Sequence, residues 1–316
     1  MRCLYPRMAF DTGCINPVTG KRVISFKAPR SYSPNLKEMP VPCGKCSACL
    51  ARKRNNWINR MLCEMFACGS STFLTLTYDN IHCPSALNKK HLQDFFKRLR
   101  NVGRDFGIPV PLIRYFACGE YGKRRHRPHY HAIVFGVDML RDSNWMPYVC
   151  GVSNGHLRFS SSVLEKVWPF GFVVVGDCSL QSVRYVSKYI TKQYELKDKF
   201  VVPPFTIKSI GLGRSLFVDV KRKGRKYEYK LLQPFLDLYS SGRIVLPSSN
   251  GYQPVPLPSC LDSYAERFAP SLFESVKAAR REFSSSFIDL IRPSVRADYV
   301  NYKLRMELMK GELDNE

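Results

Sequence analysis

Acidic residues are scarce in this sequence. Only 26 Asp and Glu stand against 49 Lys and Arg, a formal net charge of +23. That imbalance exceeds what solubility requires and points to a polyanionic partner, nucleic acid ahead of a membrane surface. The basic residues also cluster, at 52–60, 97–104, 123–127 and 221–226. Long apolar runs are missing too: none approaches the roughly 18 residues of a membrane span. The opening MRCLYPRMAFDTG has charge without a continuous apolar stretch behind it, unlike a secretory signal, so a cytoplasmic protein with no membrane partner is expected. Neither G-x-G-x-x-G nor G-x4-G-K-[ST] occurs, which disfavours a dinucleotide enzyme and a P-loop helicase. Disorder is excluded by 45% hydrophobic and 13% aromatic residues, enough apolar matter for a full core.

The 12 cysteines are expected to be reduced thiols in a chain of this length without a secretory signal. Cys43, Cys46 and Cys49 form C-x2-C-x2-C, a spacing that suits thiolate ligation of Zn²⁺. A closed structural site wants a fourth ligand. Cys3, Cys14, Cys63 or Cys68 could supply it, and the competing reading is that these are small buried apolar residues.

Periodicity sketches the elements. Residues 1–42 show none and read as irregular, ending at Pro40 and Pro42. From Ala48 to Phe66 the spacing of Trp57, Met61, Leu62 and Met65 predicts a helix with Arg52, Lys53, Arg54 and Arg60 on other positions. TFLTLTY at 72–78 predicts a core strand. Asn88 is a candidate N-cap for a helix through Leu92, Phe95, Phe96 and Leu99. Strands at 112–118 and 129–135 should form a hairpin around the basic stretch 121–128. Residues 136–160 read as loop, 163–168 as a short helix, 171–175 as a strand, and 180–193 as a helix capped by Ser179. Helices are expected within 226–239 and 271–312. The order favours an α+β fold, a central antiparallel sheet backed by helices. The expected organisation is a basic amino-terminal segment at 1–70, a core at 71–195 and a mixed, partly helical carboxy-terminal extension at 196–316.

Chemistry concentrates in the middle. On a strand, His129 and His131 project from one face, where two neutral imidazoles could share a metal, and Glu120 on the hairpin partner could complete a three-ligand site. His126 is a nearby alternative, better suited to phosphate contact. From spacing alone, a pair of surface histidines is the competing reading. Tyr185 and Tyr189 stand four apart on one helical face. Either phenol could act as a nucleophile, with Lys188 or Lys192 stabilising phenolate or developing phosphate charge.

In order, TFLTLTY, GEYGKRRHRPHYHAIVFG and VRYVSKYITK resemble the three motifs of the HUH endonucleases. The paired tyrosines and CGKCSACLARKRNNW resemble, more narrowly, replication initiation proteins of gokushovirus-type microviruses, phages with circular single-stranded DNA. The resemblance covers about residues 43–193. It implies a ferredoxin-like or RRM-like sheet with the histidines beneath a tyrosine-bearing helix. It also implies Mg²⁺ or Mn²⁺ on His129 and His131, Glu120 as third ligand, and a rolling-circle nickase that forms a 5′-phosphotyrosine adduct, leaves a 3′-hydroxyl primer and later rejoins the strand. Glu120 departs from the pattern by lying upstream of the H-x-H. Expected partners are single-stranded and origin DNA, held by Arg124, Arg125, Arg127, Arg52, Lys53, Arg54 and the 221–226 cluster, and host replication proteins including a helicase. Two rivals stand beside this reading: a noncatalytic single-strand-binding protein and a zinc-dependent DNA-binding regulator.

Overall fold

The computed structural model describes residues 3–17, 22–27, 37–108, 113–122, 124–153, 156–195, 201–223, 226–248, 251–280 and 282. The amino-terminal segment is not irregular: Arg7–Ile15 (β1), Arg22–Ser25 (β2) and Lys37–Val41 (β3) form an antiparallel sheet in the order β2-β1-β3. Along β1 only Ala9 and Asp11 are buried, so the apolar alternation that reveals a half-buried strand is missing. Ser47–Cys68 (α1) follows and ends at Gly69 in the left-handed region, where a glycine carries no Cβ penalty.

Ser71–Tyr78 (β4) buries every second residue, Thr72, Leu74, Leu76 and Tyr78. Lys89–Asp105 (α2) begins as expected: the Asn88 side chain accepts from the Lys90 and His91 amides. Its stripe of Leu92, Phe95, Phe96 and Leu99 is buried against Leu74, Leu76 and Tyr78. Each such side chain contributes roughly 1.5–3 kcal/mol relative to exposure. Arg114–Tyr121 (β5) and Pro128–Phe135 (β6) make the expected hairpin.

The 136–160 expectation is corrected. Pro147–Ser153 (β7) and His156–Ser161 (β8) pair as a second hairpin, joined to the sheet through Phe159 opposite Val175. A register shift between Val149 and Gly151, a bulge at glycine, is what gave the stretch its loop-like composition. Ser162–Val167 (α3), Gly171–Asp177 (β9), Leu180–Ser187 (α4) and Tyr189–Glu195 (α5) complete the middle region. The Ser179 cap forms, with Ser182 returning the bond, but the expected single helix breaks at Lys188, whose amide bonds the Tyr185 carbonyl at 3.1 Å.

Phe205–Lys208 (β10) pairs with β5, so the antiparallel sheet runs β10-β5-β6-β4-β9-β8-β7. Its two faces are covered by different layers. Aromatic and aliphatic residues of α2 and α3 pack on one face. Met61 of α1 and Val183, Val186 and Ile190 of α4 and α5 pack on the other, against Phe116, Cys118, Ile133 and Phe135. The fold is α+β, as predicted.

Beyond it lie Val218–Lys223 (β11), Lys226–Leu231 (β12), Gln233–Tyr239 (α6), Arg243–Ser248 (β13), Gly251–Pro256 (β14) and Asp262–Phe268 (α7), with 270–280 helical. Part of the region expected as helix from 226 is therefore strand, and 283–312 lies outside the described residues. Phe217, Phe235, Tyr239, Leu261 and Ala265 form a second core shared with Cys63 of α1. Glu64 of α1, fully buried, accepts from the Gly213 amide and the Ser215 hydroxyl, both at 2.7 Å, and faces Arg114 Nε at 3.4 Å. Thus α1 is packed between the two cores. Among the described residues no helix is long and apolar enough to cross a membrane.

Candidate active site

Register builds the site. Glu120 lies opposite His129 across β5 and β6, and Thr75 of β4 lies opposite His131, so all four side chains stand on the face beneath α4. Glu120 Oε1 is 3.0 Å from His129 Nε2 and 2.8 Å from His131 Nε2. The three ligand atoms all lie within 4.8 Å of one another. His129 Nδ1 lies 3.2 Å from the Arg127 carbonyl. A carbonyl only accepts, so Nδ1 carries the proton and the Nε2 lone pair of the neutral ring is aimed at Glu120. His131 Nδ1 meets Thr75 Oγ1 at 3.1 Å and its ring stacks on Phe73 at a centroid separation of 5.7 Å. Two nitrogen lone pairs converging on a carboxylate oxygen require a cation or proton among them, and imidazoles oriented by bonds at the far nitrogen are the usual arrangement of metal ligands. The donor set of two nitrogens and one oxygen therefore fits a divalent ion.

Burial alone would raise the Glu120 carboxyl, but hydrogen bonds from the two imidazoles and Tyr189 outweigh it and hold the group well below the usual carboxylate range. Burial lowers His131 below the ordinary imidazole value against the pull of Glu120. The site thus keeps its carboxylate ionised and favours a neutral His131.

The tyrosines arrive from α4 and α5. Tyr185 Oη donates to Glu120 Oε1 at 2.9 Å and lies 3.2 Å from His131 Nε2. Tyr189 Oη donates to Tyr185 Oη at 3.3 Å. Their environments differ: Tyr185 is 36% exposed and Tyr189 2%. Burial pushes the Tyr185 phenol up to about 12, and burial with Glu120 nearby raises Tyr189 further. Both are neutral phenols at ordinary pH. Lys192 Nζ sits 4.6 Å from the Tyr189 ring centroid, whereas Lys188 is exposed at the break between the helices.

The basic residues divide. Arg124 and Arg125 are exposed in the hairpin turn, as is His126 at φ 48°, so His126 is not brought into the ligand set. Arg127 is committed inward, to Asn80 Oδ1 at 2.6 Å and the Tyr78 and Asp79 carbonyls at 2.9 Å; it ties the hairpin to the end of β4. Arg52 and Lys53 are exposed on α1, with Lys53 Nζ 2.8 Å from Tyr194 Oη. Arg54 is half-buried and its Nε has no hydrogen-bond partner. Arg60 is spoken for, donating to the Leu212 carbonyl at 2.7 Å and stacking on Trp57. Lys123 and the side chains of 221–226 lie outside the described residues.

Cys43, Cys46 and Cys49 do converge, and of the four candidate partners Cys3 joins them. Cys63 lies in the second core, where burial pushes its thiol up to about 12. Cys68 faces Glu64 at 3.8 Å, and Cys14 is exposed on β1. Sequence reasoning also missed Thr75 and Phe73, although both share the alternation of TFLTLTY that put them on one face.

Comparison with known proteins places this geometry in a class. The family model for the replication-associated protein ORF2 family matches residues 71–194, which span β4, β5, β6 and both tyrosines. Among curated proteins, the chain is 33% identical to replication-associated protein ORF4 of Chlamydia phage 1 over 157 residues, 49% of this chain and 39% of that protein. It is 26% identical to replication-associated protein ORF2 of Spiroplasma virus 4, covering 72% of this chain and 68% of that one. With replication-associated protein VP4 of Bdellovibrio phage phiMH2K it shares 30% identity over 57% of this chain and 58% of that protein. The chain therefore spans less than two thirds of the length of the Chlamydia phage and Bdellovibrio phage relatives. The resemblance to microvirus replication proteins predicted from the motifs is borne out. No solved structure matches.

Proposed function

We propose that this protein initiates replication of a circular DNA by nicking one strand with a tyrosine. The observation that carries the reading is the convergence of Glu120, His129, His131 and the Tyr185 hydroxyl, with Tyr185 Oη 2.9 Å from the carboxylate. The family match over 71–194 and the names of the relatives support the role in replication. Glu120, His129 and His131 would hold Mg²⁺ or Mn²⁺, which when bound supplies charge neutralisation at a non-bridging phosphate oxygen.

Tyr185 acts first, because it is the exposed member of the pair. Its Oη forms the bond to phosphorus, the bond from phosphorus to the 3′ oxygen breaks, and that oxygen takes up a proton to leave as a hydroxyl. The phenol's own proton has acceptors at 2.9 Å in Glu120 and 3.2 Å in His131. The chain then carries a 5′ phosphotyrosine, and the freed 3′ hydroxyl primes synthesis. Tyr189, whose hydroxyl already reaches Tyr185, serves the second cut once its cover shifts. A 3′ hydroxyl attacking the phosphotyrosine would then close the displaced strand and release the phenol with a proton. Arg124, Arg125, Arg52 and Lys53 present exposed charge for the DNA backbone.

The test is incubation of the protein with origin single strands and Mn²⁺ or Mg²⁺, read by denaturing electrophoresis. Tyr185→Phe should abolish the first covalent adduct while Tyr189→Phe retains it. An adduct from the double variant would defeat the nucleophile assignment. Tight binding without an adduct under either metal would instead favour a noncatalytic single-strand-binding protein.

A further inference from the structure

A second candidate centre lies outside the nicking site, where the amino-terminal sheet meets the start of α1. The sulfurs of Cys3, Cys43, Cys46 and Cys49 lie within 4.8 Å of one another. Cys3 Sγ is 3.8 Å from Cys46 Sγ, and Cys43 Sγ is 4.0 Å from Cys49 Sγ. Four thiolates about 2.3 Å from a tetrahedral Zn²⁺ stand about 3.8 Å apart, whereas a disulfide would bring a pair to about 2.05 Å. We propose that these four cysteines form a closed structural zinc site that fastens the amino-terminal sheet to α1.

Three further observations support it. Backbone amides aim at the sulfurs: Cys43 N–H at Cys3 Sγ (3.2 Å), and Cys46 and Lys45 N–H at Cys43 Sγ (3.3 and 3.5 Å). Gly44, at φ 75°, permits the tight turn that lets this happen. Cys46 is the N-cap of the 22-residue α1 and Cys49 lies in its first turn, where the helix dipole favours thiolate. Arg52 Nη2 approaches Cys49 Sγ at 3.8 Å, offsetting part of the negative charge that four thiolates leave on a divalent ion. Finally, the region has little else to hold it. Its buried cluster comprises Cys46, Ala48 and Cys49, flanked by Cys3 and Cys43, with no large apolar side chain among the described residues. A segment without a core depends on a staple. Filling that space with thiols alone would bury too little area to stabilise it. Binding Zn²⁺ releases the four thiol protons to solvent.

The site is separable from the nicking centre, so its test uses full-length protein in a His129→Ala/His131→Ala background that removes the other ligands. Metal retained through gel filtration should amount to one zinc per chain. It should be unaffected by Cys14→Ser and lost with Cys3→Ser or Cys46→Ser. Replacing zinc by Co²⁺ should give thiolate charge-transfer absorption, reduced by about a quarter in Cys3→Ser because one of four thiolate ligands is gone. Should the serine variants fail to fold, the wild type still decides: iodoacetamide should modify exposed Cys14 and Cys150 but spare Cys3, Cys43, Cys46 and Cys49 until a strong chelator is added. Zinc-free protein, retention that survives loss of Cys3 and Cys46, or equal alkylation with and without chelator would each overturn the proposal.

Discussion

The two clusters of metal-ligating side chains stand in opposite relations to the fold around them. Glu120, His129 and His131 sit on adjacent strands in the middle of a seven-stranded sheet. Their positions follow from strand register, and packed layers on both faces hold that register without any ion. The four cysteines come from an amino-terminal segment, a turn and a helix start, with little apolar burial to fix them. A centre that the fold organises can be emptied without unfolding; a centre that organises its surroundings cannot. Chemistry suits the first, because a site with only three protein ligands leaves positions for a phosphate, while a closed set of four thiolates suits the second.

Replacing one ligand in each centre should break that contrast if it is wrong. His131→Gln should lower adduct formation at least about 10³-fold, as loss of a group acting directly in the chemistry does, with little change in the thermal midpoint. Cys46→Ser should do the reverse to the structure: limited proteolysis should cut near residues 1–45 while the 71–194 core stays intact. Equal protease resistance of wild type and Cys46→Ser would remove the distinction.

A smaller effect tests how the strands orient the first centre. Thr75→Val keeps shape but takes away the partner of His131 Nδ1, and should weaken Mn²⁺ binding or adduct rate by about 10–100-fold, measured by metal titration. Unchanged affinity would mean that the Phe73 stack alone orients the ring.

Alkaline pH sharpens the difference between thiols kept as thiols and thiols held as ligands. Burial pushes Cys63 and Cys68 up to about 12 and Cys178 up to about 11, from an ordinary 9.0. The unfolded chain releases these protons first, so the folded state binds more protons and stability should fall as pH rises from 9 through 11. Urea unfolding at pH 8 and pH 10.5 measures this, and a Cys178→Ala variant should show a shallower decline. The smallest effect is a control: Asn88→Ala removes the cap of α2 and should cost about 1 kcal/mol in urea unfolding without altering either centre.

Much of the first centre was legible because its parts are local. Two histidines one residue apart must share a strand face, and two tyrosines four apart share a helical face even across the break at Lys188. The nearby hairpin made Glu120 a natural partner. What escaped were features with no local signature. The first strands bury so little that no alternation marks them, and the second hairpin is disguised by glycine at a bulge. Arg127 reads as one more charge in a basic run, yet its guanidinium is bound to the end of β4.

By itself, then, the sequence determined the α+β order, the H-x-H face, the tyrosine pair and the cysteine spacing, since each follows from the period of a strand or helix or the geometry of a short turn. Tertiary structure decided the rest. It selected Cys3 from four eligible cysteines, set Glu120 Oε1 between two imidazoles, and left Tyr185 exposed while burying Tyr189. Those outcomes depend on long-range register and on which surfaces pack together, and chain periodicity carries no record of either.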